Sequence, residues 1–364
     1  MGVALVVLLA VVTAACASGG AAVAAANFTT TGSAEQVFVV DATPGHTLEL
    51  RSSTGKVVAS AQADRQGSRV FRKVPSGSGY RVRDTTGKST ESAPITVHST
   101  HPAPASTTTY DQTLPTGFDA KGKPLKLGGY GYLTVRDGTK LAVNVRLPGP
   151  ADKGPYPTVI EYGGYAFARP GAGESSIAPV WNALGYAVVD VNMRGTGCSG
   201  GAFDFFEPNQ ILDGYDAIET VARQPWALGH KVGMVGISYG GISQLFVAQS
   251  NPPHLAAITP NSVIEGATTT LRPGAMLNTG FAYSWAEGRV ADAKPASPKT
   301  GQRWAWDRIK AGDGTCKANQ KLHSQAVDLI EMIKENATYV PEVVDPITLS
   351  TFVHKIKVPT YLSC

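Results

Sequence analysis

Charge is scarce in this chain. Lys, Arg, Asp and Glu together make up 16% of its 364 residues, well under the quarter usual for globular domains. The net charge of +4 is spread along the chain without a basic block, so there is no stripe for nucleic acid. Long apolar runs are missing too. The run Val3 to Val12 is about ten residues, too short to span a bilayer as a helix. Cysteine is limited to Cys16, Cys198, Cys316 and Cys364. No C-x-x-C and no H-x-x-x-H occurs, which removes the usual metal-site spacings. What the chain does have is 40 glycines and a 43% hydrophobic share. That is enough apolar material for a large core, and the length suits two domains.

The run Val3 to Val12, followed by small residues, reads as an export leader over residues 1–26. Two processing routes fit. Thr13-Ala14-Ala15-Cys16 resembles a lipoprotein signal that would leave Cys16 acylated, the one route to membrane attachment. Cleavage near Ala24-Ala25-Ala26 would instead release a secreted protein. No Lys or Arg precedes Val3, which points to a start further upstream. Export favours disulfides. With Cys16 set aside, Cys198, Cys316 and Cys364 form an odd set whose pairing the sequence leaves open.

Residues 34–98 carry short alternating runs, among them Gln36–Val40, Thr47–Leu50, Lys56–Ala59, Arg69–Phe71 and Tyr80–Val82, with turn signals such as Thr43-Pro44-Gly45 between them. Strands this short and evenly spaced predict a small β-sandwich. Residues 99–128, with Pro102, Pro104, Pro115 and Pro124, read as a linker that cannot fold alone. From 129 to 264 the pattern becomes a hairpin and then strands alternating with helices. That predicts a mostly parallel sheet with an antiparallel edge. Its helix Ile211–Arg223 has Asp213, Asp216 and Glu219 on its polar side. Residues 265–350 break the alternation and predict a helical cap above the strand ends. Trp285, Trp304 and Trp306 are its candidate walls for a bound group. Residues 351–364 hold a return strand, Lys357–Leu362.

The richest local signal is Gly236-Ile237-Ser238-Tyr239-Gly240. It follows the apolar strand Val232–Val235 and opens a helix, the context of a nucleophile elbow. The sharp turn excludes bulk at its flanks and holds the Ser238 oxygen at the end of the sheet. The backbone N–H of Tyr239 then faces the place where an oxyanion would develop. A second glycine-rich run, Gly195-Thr196-Gly197-Cys198-Ser199-Gly200, satisfies the dinucleotide pattern. No helix start follows it, so nucleotide binding is set aside. A tight connection bringing Arg194 beneath the site fits better.

Several segments resemble, in order, the X-Pro dipeptidyl-peptidase-like hydrolases, the group that includes the cocaine esterase and glutaryl-acylase type enzymes. They are Arg136–Leu141, Glu161-Tyr162-Gly163-Gly164-Tyr165, Asp190–Gly201, Asp213-Gly214-Tyr215-Asp216, Gln224-Pro225-Trp226 and the elbow itself. The resemblance spans residues 130–364. It implies an α/β-hydrolase fold with a helical cap, preceded here by the β-sandwich. It implies Ser238 as acylating nucleophile, with the Tyr165 hydroxyl and the Tyr239 amide as oxyanion donors. It further implies a small ester, amide or peptide substrate and no metal or organic cofactor. Gly164 departs from the pattern, since proline usually stands there, and a looser loop is expected.

A triad needs a base and an orienting acid, and in this fold both follow the serine, acid first. The return strand ends at the chain's last residues, so neither position falls within the 364. His254 is sixteen residues beyond Ser238, and the intervening helix carries the chain roughly 18 Å away. His323 lies in the cap and His354 precedes the last strand. Asp307, Asp313 and Asp328 read as solvated cap residues. The expectation is therefore the front part of a longer serine hydrolase, inactive alone. The alternative is a non-catalytic exported binding protein on a hydrolase scaffold.

Overall fold

The computed structural model describes residues 24–119, 121–171 and 177–363. Cys16, Cys364 and most of the expected leader lie outside them. Among the described residues no helix is long and apolar enough to cross a membrane.

The first unit packs two sheets face to face. One has strand order β1 (Ala24–Ala25), β8 (Thr90–Glu91), β7 (Gly77–Asp84), β4 (Thr47–Arg51), β5 (Val57–Gln62), with β9 (Ile95–Val97) also pairing β7. The other is β2 (Thr29–Ser33), β3 (Gln36–Val40), β6 (Arg69–Arg72). Period-two patterning does the sorting. In β4, Leu48 and Leu50 are buried while Glu49 between them is not. The shared core includes Phe28, Val37, Val39, Phe71 and Val82. The unit begins earlier than the sequence predicts. Ala24 and Ala25 pair with Thr90 and Glu91, and the Ala26 N–H donates to the Glu91 carbonyl. Residues 24–26 thus pair with the sandwich, where the sequence reading placed the end of the leader. Small side chains hid this, because the pairing is made by backbone alone.

The stretch read as a linker is a strap. It contains a single turn, α1 (Thr107–Tyr110), and lies against the second unit. The buried Tyr110 donates its hydroxyl to Asp216 at 3.0 Å, and the Leu114 N–H donates to Gln224 Oε1 at 3.1 Å. It borrows a neighbour's surface for the burial it cannot build itself.

The second unit is a mixed sheet, in order β10 (Gly129–Thr134), β11 (Lys140–Arg146), β13 (Ala187–Asn192), β12 (Tyr156–Gly163), β14 (Ala227–Ile237), β15 (Leu255–Asn261). The hairpin β10–β11 is antiparallel, and β12, β13, β14 and β15 run parallel to one another. Residues 359–363 continue beside β15 through parallel bridges at Ile258–Thr360 and Asn261–Ser363. The parallel strands read as apolar runs because helices cover both faces. In β13 every residue is buried, and its one carboxylate, Asp190, is paired with Arg146 at 2.8 Å. The covering helices are α2 (Ala178–Ala183), α3 (Pro208–Ala222) and α4 (Tyr239–Ala248). This is the α/β-hydrolase arrangement the sequence led us to expect.

The cap follows as α5 (Ala267–Leu271), α6 (Phe281–Ala293), α7 (Arg303–Lys310), α8 (Gly314–Asn319), α9 (Leu329–Glu335) and α10 (Pro341–Val344), joined by short 3-10 turns. A disulfide between Cys198 and Cys316 ties α8 to the loop after β13. It settles the pairing the sequence left open, and it closes over a separation of 118 residues.

The polar side of α3 does not face water. Asp213 takes a two-pronged ion pair from Arg194, at 2.7 and 2.5 Å. Asp216 is paired with Arg136 at 2.6 Å. Glu219 meets His254 Nδ1 at 2.7 Å. Arg194 also reaches Asp137 at 3.0 Å, and Ser33 of the sandwich donates to Asp137 at 2.6 Å. Asn209 Oδ1 lies 2.7 Å from Ser33 Oγ and accepts from the Ala34 N–H at 3.1 Å. Buried charges require such partners. Arg194 therefore locks hairpin, helix and sandwich together.

Candidate active site

The elbow is built from backbone constraints. Gly236 has φ +152°, and a Cβ there would sit 2.6 Å from the Gly240 carbonyl oxygen, so no larger residue fits. Ser238 has φ 57° and ψ −118°, outside the regions open to L-residues without strain. Strain of this kind costs about 1–3 kcal/mol and persists only where the surroundings enforce it. Here the Ser238 N–H donates to the Asn261 carbonyl at 2.9 Å, and its own carbonyl accepts from Ile242 at 2.8 Å. The side chain is left out of these bonds. Oγ makes no cap bond to α4, and among the described residues it has no hydrogen-bond partner. Ser238 is half-buried. The residue after it, Tyr239, starts α4, where backbone N–H groups lack intrahelical acceptors.

Ser238 opens on an apolar cavity of about 160 Å³ between sheet and cap, walled by Phe205, Leu271, Trp285, Met332, Ile333 and Val343. Among the described residues, Arg272 is the one charged side chain on its wall, and no His, Asp or Glu lines it. Of the three candidate tryptophans, only Trp285 lines this cavity. Trp304 packs with Cys198 and Cys316 instead.

Tyr165 and Tyr239 meet edge to face, ring centroids 5.5 Å apart. Trp285 packs on Tyr239 at 5.2 Å and donates its indole N–H to the Tyr165 hydroxyl at 2.8 Å. The Tyr239 side chain is buried, and among the described residues its hydroxyl has no partner. Burial pushes its pKa up, so it stays a neutral phenol. The function expected of Tyr239 rests on its amide, not on this ring. The loop carrying Tyr165 is tight rather than loose. Asn192 Nδ2 donates to the Tyr165 carbonyl at 2.7 Å, and Gln302 Nε2 to the Gly164 carbonyl at 2.8 Å. A Cβ at Gly164 would fall 2.6 Å from Tyr239 Cε1. The departure from proline is thus matched to the Tyr239 ring. Asn192 and Gln302 escaped the sequence reading, because nothing local marks a side chain that supports a loop far away in the chain.

The histidines lie elsewhere. His254 accompanies Glu219 at the strand end opposite the elbow, its carbonyl accepting from Val232 at the start of the β14 core. Val232 precedes Ser238 by six residues, about 20 Å of strand. His323 is buried against the loop after β13, its Nε2–H donating to the Ser199 carbonyl at 2.7 Å. Burial pushes its pKa down. His354 is exposed on a 3-10 turn. Asp313, read as solvated, accepts from the hydroxyls of Tyr130 and Tyr132 at 2.9 Å each and caps α8. Among the described residues no three His, Cys, Asp or Glu side chains gather as metal ligands. The glycine-rich loop after β13 is held by the disulfide and leads to no phosphate-facing helix start.

Comparison with known proteins bears on the same region. The family model of the X-Pro dipeptidyl-peptidase (S15 family) matches residues 137–363. A Mycobacterium bovis protein provisionally named a serine esterase is 29% identical over 181 residues, covering 44% of this chain and 28% of that protein. An aminopeptidase structure from a marine sediment archaeon of the Thaumarchaeota superposes with TM-score 0.50 at 18% identity, over 69% of this chain and 45% of that one. A CocE/NonD family hydrolase from Staphylococcus aureus gives TM-score 0.49 at 24% identity, over 63% and 39%. The chain thus spans a little over a quarter of the curated relative and under half of these structures. The family match takes in more than half of the chain and includes the elbow, the Tyr165 loop and the cap. The protein belongs to the X-Pro dipeptidyl-peptidase (S15) family.

Proposed function

We propose that the protein serves as a serine esterase, cleaving an uncharged apolar acyl ester through an acyl-enzyme on Ser238. The observation carrying this reading is the strained Ser238, its oxygen unbonded, opening on an apolar cavity. Attack by Oγ on the ester carbonyl makes a tetrahedral oxyanion. The Tyr239 amide and the Tyr165 hydroxyl are its two donors. Collapse expels the alcohol and leaves the acyl group on Ser238, for water to remove. The proton of Oγ needs an acceptor, and among the described residues no imidazole touches Ser238. These 364 residues alone are therefore expected to hydrolyse esters at or near background.

An ester is favoured over an X-Pro peptide by the character of the wall. A peptide's free amine needs an acidic anchor. Glu265 is occupied with Ser350 at 2.7 Å, and Glu287 is exposed; neither lines the cavity. Export is part of the proposal, supported by the Cys198–Cys316 disulfide, since such bonds persist in oxidising compartments. Secretion and lipid anchoring at Cys16 both accord with it.

The test compares p-nitrophenyl acetate, butyrate and octanoate with an X-Pro anilide, using the protein as its gene encodes it. Hydrolysis of butyrate or octanoate ahead of the anilide, abolished by Ser238→Ala, is expected. Preference for the anilide would reverse the esterase assignment. Equal background from both proteins on all four substrates would favour the second reading, a binding protein on this scaffold, which the lack of an imidazole at the cavity motivates.

A further inference from the structure

Two residues one turn apart on α6 converge on Tyr165. The indole N–H of Trp285 donates to the Tyr165 hydroxyl oxygen at 2.8 Å. An indole N–H only donates, so in this bond the phenol oxygen must accept. Its own O–H is left to point elsewhere, and among the described residues no acceptor takes it. The guanidinium carbon of Arg289 lies 4.6 Å from the centroid of the Tyr165 ring, and Nη1 is 3.5 Å from the Gly164 carbonyl oxygen. Asp292 holds that guanidinium at 2.8 Å. Phe167 and Tyr239 close on the ring edge to face, at 5.7 and 5.5 Å. The ring is thus held by the guanidinium and two neighbouring rings, and the oxygen is fixed from one side.

We propose that Trp285 and Arg289 are positioning residues that hold the Tyr165 hydroxyl as an oxyanion donor, Trp285 by occupying the acceptor side of the oxygen and Arg289 by packing on the ring. This rests on the donor role of Tyr165 stated above. A hydroxyl that already accepts a hydrogen bond is a stronger donor, because bonds in a chain polarise one another. It is also spared a search for orientation when charge develops on the substrate. Trp285 then has two separate functions: its face walls the cavity, and its edge holds the tyrosine.

A double-mutant cycle in the full protein, with p-nitrophenyl butyrate, separates them. Trp285→Phe keeps an aromatic wall and deletes the N–H. Tyr165→Phe is expected to lower kcat about 100-fold, the effect of losing an oxyanion donor. Trp285→Phe should lower kcat about 10-fold and change KM less than about threefold, and the double variant should be no slower than Tyr165→Phe alone. Arg289→Met should follow Trp285→Phe in kind, and Arg289→Lys should recover part of the loss. Losses that multiply in the double variant, a change confined to KM, or no change in Trp285→Phe would each overturn the clamp. If Tyr165→Phe leaves kcat intact, the donor role falls and the clamp with it, while the Ser238→Ala result still stands or falls by itself.

Discussion

Two regions near the N-terminal end of α3 handle polar groups in opposite ways. At the junction beneath the sandwich, Arg194, Asp137, Asp213, Ser33 and Asn209 are buried, and each is matched to a partner within 3.1 Å. Burial alone would raise the Asp137 carboxyl. The Arg194 guanidinium and the Ser33 hydroxyl outweigh it and hold the group below its ordinary value. At the elbow the opposite holds. Ser238 is half-exposed, conformationally strained, and, among the described residues, without a partner for its oxygen. Satisfied polar groups make architecture, because removing a partner leaves an orphan charge. A strained, unsatisfied group stabilises nothing, and its presence calls for another explanation.

The sharpest way to break this comparison is Arg194→Met. It should lower the unfolding free energy by about 3–5 kcal/mol, the loss typical of a buried ion pair stripped of one member. Urea unfolding followed by fluorescence measures it. A loss below 1 kcal/mol would mean that the junction is not what fastens the sandwich. Next in size is Gly164→Ala. The added methyl meets the Tyr239 ring at 2.6 Å, and overpacking of this kind costs about 1–3 kcal/mol. It should also reduce ester turnover, since Tyr165 must shift with its loop. Unchanged stability and turnover would show that the loop has the slack the sequence suggested.

A pH-dependent effect sharpens the junction side. Glu207 is buried, and its pKa is raised to about 7, first by burial and then by Asp204, against the lowering influence of Arg194, Arg72 and the Gln36 amide. Its ordinary value is 4.5. The folded state therefore binds the proton more tightly than the unfolded chain. The stabilisation is fully present below pH 4.5 and is lost as pH rises to about 7. Between those values the unfolding free energy should fall by at most about 1.4 kcal/mol per pH unit through this group. Glu207→Gln should flatten that part of the curve. An unchanged slope would mean that Glu207 ionises normally.

The sequence disclosed these two regions unequally, for a physical reason. The elbow was legible because its constraints are local: strand, glycine, serine and helix lie within a dozen residues. The parallel strands were legible as apolar runs, and the cap by the loss of alternation. The junction was not. Asp213, Asp216 and Glu219 mark a polar helix side in any sequence. Whether that side meets water or Arg194, Arg136 and His254 depends on pairings over 19 to 80 positions. Strap residues Tyr110 and Leu114 looked like linker for the same reason. Among the cavity walls, Trp285, Trp304 and Trp306 were indistinguishable until the fold separated them.

The smallest expected effect is the most telling. Ser238→Gly removes the side chain from a φ of 57° that an L-residue adopts only under strain. Glycine takes that conformation freely, though it adds flexibility to the unfolded chain. The net should be a gain of about 1 kcal/mol in unfolding free energy, together with loss of any Ser238-dependent turnover. Ser238→Ala keeps the Cβ and the strain, so it should lose turnover without that gain. The pair isolates conformation from the hydroxyl. Stabilisation by glycine but not alanine would mean that the backbone is held against its preference to present an oxygen. Destabilisation by both would place Ser238 with Arg194, among the groups that hold the fold together.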